Sequence, residues 1–153
     1  MLTIYKMTIT NFEIIDICQR YKIPLNGVYN KDQLPLRKDR RQGGYIINLQ
    51  DDEDSLGKDL PGTHWTCFYI EKDNCVYFDS YGIIFPRQVK EFCAGLHLIH
   101  SSKMIQSERS VLCGSFCILF LYFMSRQKHI RKLENRLKAF NSMFYVDTKR
   151  NDE

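Results

Sequence analysis

The sequence predicts an α+β domain. Three observations carry that expectation: a capping box that opens a helix near the N-terminus, a two-residue periodicity in a central hairpin, and an unbroken apolar run of helical length in the last third. At 153 residues the chain suits a single core of ordinary size, so one domain is expected over 1–153.

Thr10-Asn11-Phe12-Glu13 has the S/T-x-x-E spacing of a capping box, with Thr10 as N-cap. Ile14, Ile15, Ile17, Cys18 and Tyr21 continue a helix that must end before Pro24. Asn26-Gly27 and Asn30-Lys31-Asp32 read as turns, and Gly43-Gly44 opens a short strand over 45–49. The stretch 51–60 is acidic and broken by Gly57, which predicts a mobile loop. Strands over 64–71 and 75–79 are joined by Lys72-Asp73-Asn74, and in the second Val76 and Phe78 alternate with Tyr77 and Asp79. Pro86 suits the first turn of a helix that runs to Ala94 and stops at Gly95. A strand over 96–100 and a polar connection over 101–112 follow. CGSFCILFLYFMSR, 113–126, predicts a buried helix. A last amphipathic helix places Ile130, Leu133, Leu137 and Phe140 on one side, and the tail 146–153 is expected to fray.

Apolar residues make up 44% of the chain and aromatics 13%, which predicts a folded globule rather than a disordered chain. The longest strongly apolar run, 118–124, is too short to span a bilayer, so no membrane partner is expected. MLTIYKMTIT lacks the basic start and apolar block of a secretory leader, which predicts an intracellular protein. The six cysteines, at 18, 67, 75, 93, 113 and 117, then read as buried thiols with one reactive member. A zinc site built from His64, Cys67 and Cys75 lacks the usual knuckle spacing, and no metal is expected. The net charge of +4 is modest but clustered. Arg37, Lys38, Arg40 and Arg41 share one loop, and Arg126, Lys128, Arg131, Lys132, Arg136 and Lys138 gather near the end, where they could meet DNA.

The chemistry lies in residues far apart in sequence. A thiol attacks a carbonyl as a thiolate and needs a base or an electropositive site beside it. An imidazole supplies the base, and a carboxylate holds its tautomer. The developing oxyanion needs preorganised donors. Cys113 stands where a polar connection becomes a helix, whose first amides are unpaired and carry partial positive charge. His64 begins the first hairpin strand and Asp79 ends the second, so antiparallel pairing brings the two together. Gln106, on the approach to Cys113, offers a side-chain NH2 to the oxyanion. Gly114 lets a substrate come close to the backbone, and Trp65 stands beside His64. Taken singly, each of these residues has an ordinary structural reading, and only their joint placement favours a site.

GTHW, YFDSYG and Q-x6-CGSFC resemble the adenovirus-type cysteine proteases (adenain), relatives of the SUMO-deconjugating enzymes. PLNGVYNKDQLP and GGYIINL extend the likeness over about residues 10–125. The resemblance implies a papain-like fold, with a central mixed sheet flanked by helices and the nucleophile at a helix N-terminus. It implies His64 as general base, Asp79 as its orienting partner, Cys113 as nucleophile and Gln106 as oxyanion donor. Trp65 and Gly114 would line the substrate site. Adenovirus itself carries glutamate where Asp79 stands, and either carboxylate serves.

The chain is shorter than adenain at the C-terminus. The peptide and DNA cofactors of adenain are therefore not carried over directly: the sequence itself calls for no cofactor, while DNA and an activating peptide, the latter bonding through Cys93, stay open. The expected activity is viral or virus-like endopeptidase maturation of capsid precursors, with cleavage after small residues such as glycine. The expected setting is the infected cell and the virion, with the protein as a monomer. A deconjugating isopeptidase, an acetyl transferase using the same triad and a non-catalytic DNA-binding protein using the basic C-terminal helix are the alternatives.

Overall fold

In a computed structural model the described residues are 9–49, 64–107 and 110–152. Their elements are α1 (Asn11–Arg20), β1 (Leu25–Asn30), β2 (Gly43–Asn48), β3 (Trp65–Glu71), β4 (Asn74–Phe78), α2 (Arg87–Phe92), β5 (His97–His100), α3 (Cys113–Arg126), α4 (Leu133–Ser142) and α5 (Thr148–Asn151). The loop expected over 51–60 lies outside the described residues.

Five strands form one sheet in sequence order. The central pairs β2–β3 and β3–β4 are antiparallel, while the outer pairs β1–β2 and β4–β5 are parallel. The expected α+β class and mixed sheet flanked by helices are observed. Every residue of β2 is buried, because helices cover both faces of the sheet. On one face Ile46, Cys67, Tyr69, Val76 and Phe78 pack with residues of α1, α3 and α4. On the other Tyr45, Ile47, Phe68, Ile70, Cys75 and Tyr77 pack with Val89 and Phe92 of α2.

The local signals at helix ends hold. Thr10 Oγ1 accepts from the Glu13 amide at 3.2 Å, and Glu13 reaches back to the Thr10 amide. Pro86 is the N-cap of α2 rather than its first residue. Arg40 Nη1 donates to the carbonyls of Phe92 and Ala94 at 2.8 and 3.0 Å, satisfying the end of that helix.

Four expectations need correction. The Asn26-Gly27 turn signal falls inside β1, where the pairing with β2 shifts between Leu25 and Gly27. The irregularity absorbs the turn-forming residues at the sheet edge, and Asn26 Nδ2 donates to the Gln42 carbonyl at 2.9 Å. Arg136 does not belong to an exposed basic face. It is 2% exposed, ion-paired with Glu71 at 2.9 Å, and donates to the carbonyls of Ile130 and Met124. Arg126 is exposed but engaged, bonding back to the Tyr21 carbonyl at 2.6 Å, and Lys128, Arg131, Lys132 and Lys138 are the other exposed members of the cluster. The tail expected to fray over 146–153 holds a short helix, α5. Asp147 caps α5, Asn151 Nδ2 donates to the Ile105 carbonyl at 3.1 Å, and the Arg150 guanidinium lies 3.7 Å from the Tyr145 ring centre.

The start of α3 is packed as closely as any part of the fold. A Cβ at Gly114 would lie 2.2 Å from Ile9 Cγ2 and 3.1 Å from Trp65 Cδ1. Gly114→Ala is therefore expected to cost about 1–3 kcal/mol through overpacking, read as a lower urea midpoint at unchanged slope.

Candidate active site

Strand register explains how the site assembles. Cys67 pairs with Phe78, so continuing the antiparallel ladder past the strand ends sets His64 opposite Tyr81. Asp79 then falls on the same face as His64, one diagonal away. The rings of His64 and Tyr81 stack with centroids 5.0 Å apart. His64 Nε2 lies 3.1 Å from Asp79 Oδ1. Alternation along β3 turns His64 away from the face that carries α3. The two sides meet only at the rim of the sheet, where the strands have ended and Cys113 begins α3.

Cys113 is the first residue of α3, whose N-cap, Leu112, supplies no side-chain hydrogen bond. The residue is 6% exposed, and its sulfur accepts a hydrogen bond from the Trp65 amide at 3.4 Å. The His64 side chain bonds Asp79, and Cys113 acts on the same imidazole. Burial pulls the imidazolium pKa down, but hydrogen bonds and charge from Asp79 and Cys113 outweigh it and raise the pKa from 6.5 to about 9. An imidazolium that persists at neutral pH is the counter-ion a thiolate needs.

Asp79 is fully buried. Its Oδ1 also accepts from the Tyr81 amide at 2.8 Å, and Oδ2 has no hydrogen-bond partner among the described residues. The turn that places Tyr81 closes through a bond from the Gly82 amide to the Asp79 carbonyl at 2.8 Å. Gly82 has φ +73°, and a Cβ there would meet the Ser102 carbonyl oxygen at 2.7 Å, so the turn requires glycine. Sequence reasoning missed Tyr81, although its place two residues after Asp79 on a turn-closing YG pair was a usable signal.

Gln106 is fully buried on the connection leading into α3. Its Oε1 accepts from the Ser80 hydroxyl, and its Nε2 donates to the Ser110 carbonyl at 2.8 Å. The second amide hydrogen has no protein acceptor among the described residues. The site therefore combines a thiol at a helix start with an imidazole held by a carboxylate, and Gln106 is tied by Ser80 to the strand end that carries Asp79.

Trp65 and Gly114, expected to line the substrate site, are both packed against Ile9. Trp65 is 8% exposed, its Nε1 donates to the Ile9 carbonyl at 3.2 Å, and Ile9 also covers Gly114. In this structure both are packing positions beneath Ile9, because the residue before the capping box folds across the start of α3. Cys93, the position considered for a covalent activator, is 1% exposed, with Sγ 3.5 Å from Cys75 Sγ. Cys67 and Cys75 lie in opposite cores, separated by the sheet, so they do not form a common metal site with His64. No group of three or more metal-ligating side chains occurs among the described residues. None of their helices is long and apolar enough to cross a membrane.

No family model matches the chain, and no curated protein matches it. Among solved structures it is similar to one described as SUMO protease Ulp1 with the catalytic cysteine oxidized to a sulfinic acid. The TM-score is 0.36 at 14% identity, over 72% of this chain and 54% of that one. The chain thus spans about half the length of that structure. What the site can do is read from its own geometry.

The raised His64 pKa has a direct consequence for stability. Below pH 6.5 the imidazole is protonated in both folded and unfolded chains, and the stabilisation by Asp79 and Cys113 is complete. Between 6.5 and about 9 only the folded state keeps the proton, so that contribution declines as pH rises and is lost above the folded value. The urea midpoint of the wild type is expected to fall across this window relative to that of His64→Gln, the gap between the two proteins narrowing toward pH 9.

Proposed function

We propose that the protein is a cysteine endopeptidase acting on protein substrates. The observation that carries this reading is the His64–Asp79 pair whose imidazole also feels Cys113, with the thiol at a helix start and the carboxylate buried. The Cys113 sulfur attacks the scissile carbonyl carbon, forming a C–S bond as the carbonyl π pair moves to oxygen. The Gln106 amide and the Cys113 main-chain N–H are the donors for that oxyanion. When the intermediate collapses, the C–N bond breaks and His64 gives its proton to the leaving amine. Water, deprotonated by His64, then hydrolyses the thioester and releases the thiol. Asp79 fixes the tautomer and orientation of His64.

The finer reading follows from the adenain-like motifs. We propose maturation of capsid precursors in an infected cell by an enzyme carried into the particle, with cleavage after small residues such as glycine. DNA contact through the exposed Lys128, Arg131, Lys132 and Lys138 is part of the same proposal, and such binding would weaken steeply with salt.

The test is labelling with a glycine-terminated peptide electrophile, read by mass spectrometry. Wild-type protein is expected to label at Cys113 before any other thiol. His64→Ala is expected to slow that labelling by about two orders of magnitude or more. Equal, slow labelling across several cysteines in both proteins would rule the reading out.

A further inference from the structure

The end of β4 touches both halves of the site through consecutive residues. Asp79 orients His64. Ser80, fully buried, holds the segment that carries Gln106. Its carbonyl accepts from the amides of Ile105 and Gln106 at 2.8 and 3.1 Å, and its hydroxyl donates to Gln106 Oε1.

A primary amide has a donor end and an acceptor end of nearly equal size, so its partners decide which end faces the reaction. The Ser110 carbonyl can only accept, and it takes Nε2 at 2.8 Å. The Ser80 hydroxyl must then donate to Oε1. Two bonds of opposite sense fix the plane and direction of the amide and leave its second N–H uncommitted among the described residues. Without the hydroxyl, Oε1 would be a buried acceptor with no donor, and the amide would pivot on the one bond remaining.

We infer that Ser80 is a positioning residue: its hydroxyl holds the donor end of Gln106 toward the oxygen of the bound carbonyl. This rests on the acyl-transfer reading of Cys113, His64 and Asp79 given above. One dipeptide, Asp79–Ser80, thereby sets the direction of the base and the direction of the oxyanion donor together. During attack the new charge appears on the carbonyl oxygen as the C–S bond forms, and a misplacement of about an ångström at that moment costs about a hundredfold in rate.

The experiment is stopped-flow acylation of the full-length protein by the p-nitrophenyl ester of N-acetylglycine, with nitrophenolate release as the readout. Ser80→Ala is expected to slow the acylation step about tenfold to a hundredfold, with the half-saturating ester concentration little changed. Ser80→Thr keeps the hydroxyl and is expected to restore the rate. On a Gln106→Ala background the same Ser80→Ala change is expected to cost less than about twofold, because the residue it acts through is gone. The pH profile of acylation, governed by His64, should not move with Ser80→Ala.

An unchanged rate in Ser80→Ala, or an equal loss with and without Gln106, would overturn the inference while leaving the triad in place. A shifted pH profile would do the same, since it would mean that Ser80 acts through Asp79 and His64. If Ser80→Ala fails to fold by circular dichroism, Ser80→Cys, a weaker donor of similar shape, carries the same double-mutant comparison. Absence of any nitrophenolate burst from the wild type would instead strike the acyl-transfer reading itself.

Discussion

A buried carboxylate sets the terms for this protein. Asp79 lies out of solvent at the end of a central strand, and an unmatched charge in such a place costs several kcal/mol. The match comes from the His64 imidazolium on one side and the Tyr81 amide on the other. That requirement ties together the ends of β3 and β4, the glycine turn behind them and the raised pKa of the histidine. The other end of the same hairpin carries a second ion pair of the same kind, Glu71 with the buried Arg136. The hairpin is thus clamped at both ends by charge and along its length by two apolar cores.

The sheet divides the molecule, and the site exists because the division ends at the rim. His64 and Asp79 belong by alternation to the face that carries α2, whereas Cys113 opens a helix packed on the opposite face. Only beyond the last ladder bonds can an imidazole reach around to a thiol on the far side. The approach of α3 to that rim is held by close packing, with Ile9 against Gly114 and the Trp65 indole bonded to the Ile9 carbonyl. The Trp65 main-chain amide then touches the sulfur itself. Packing and chemistry therefore share residues here, and a residue next to the nucleophile can serve the core first.

Much of this was legible in the sequence. Thr10 and Glu13 announced α1, the period of two announced the hairpin, and the apolar run from Cys113 announced α3. The pairing of His64 with Asp79 followed from hairpin geometry alone, since the start of one antiparallel strand must lie beside the end of the next. Other features were hidden for physical reasons. Asn26-Gly27 has the local chemistry of a turn, and only pairing with β2 makes it an edge strand with a shifted register. Arg136 looked like one more cation on a basic helix, until the fold placed Glu71 and two carbonyls around it. Cys75 and Cys93 are distant in sequence and touch only because α2 lies on the sheet.

By itself the sequence determined the elements whose signals are local: helix caps, strand alternation, the hairpin, and the helix start that carries the thiol. These depend on hydrogen bonds and side-chain periods within a few residues of each other. The tertiary structure decided which polar groups are buried and which partners they meet. Ser80 and Gln106 are separated by α2, β5 and the connections around them, so the bond between them has no signature in either neighbourhood. The partner of the Trp65 indole was decided the same way, by where Ile9 comes to rest.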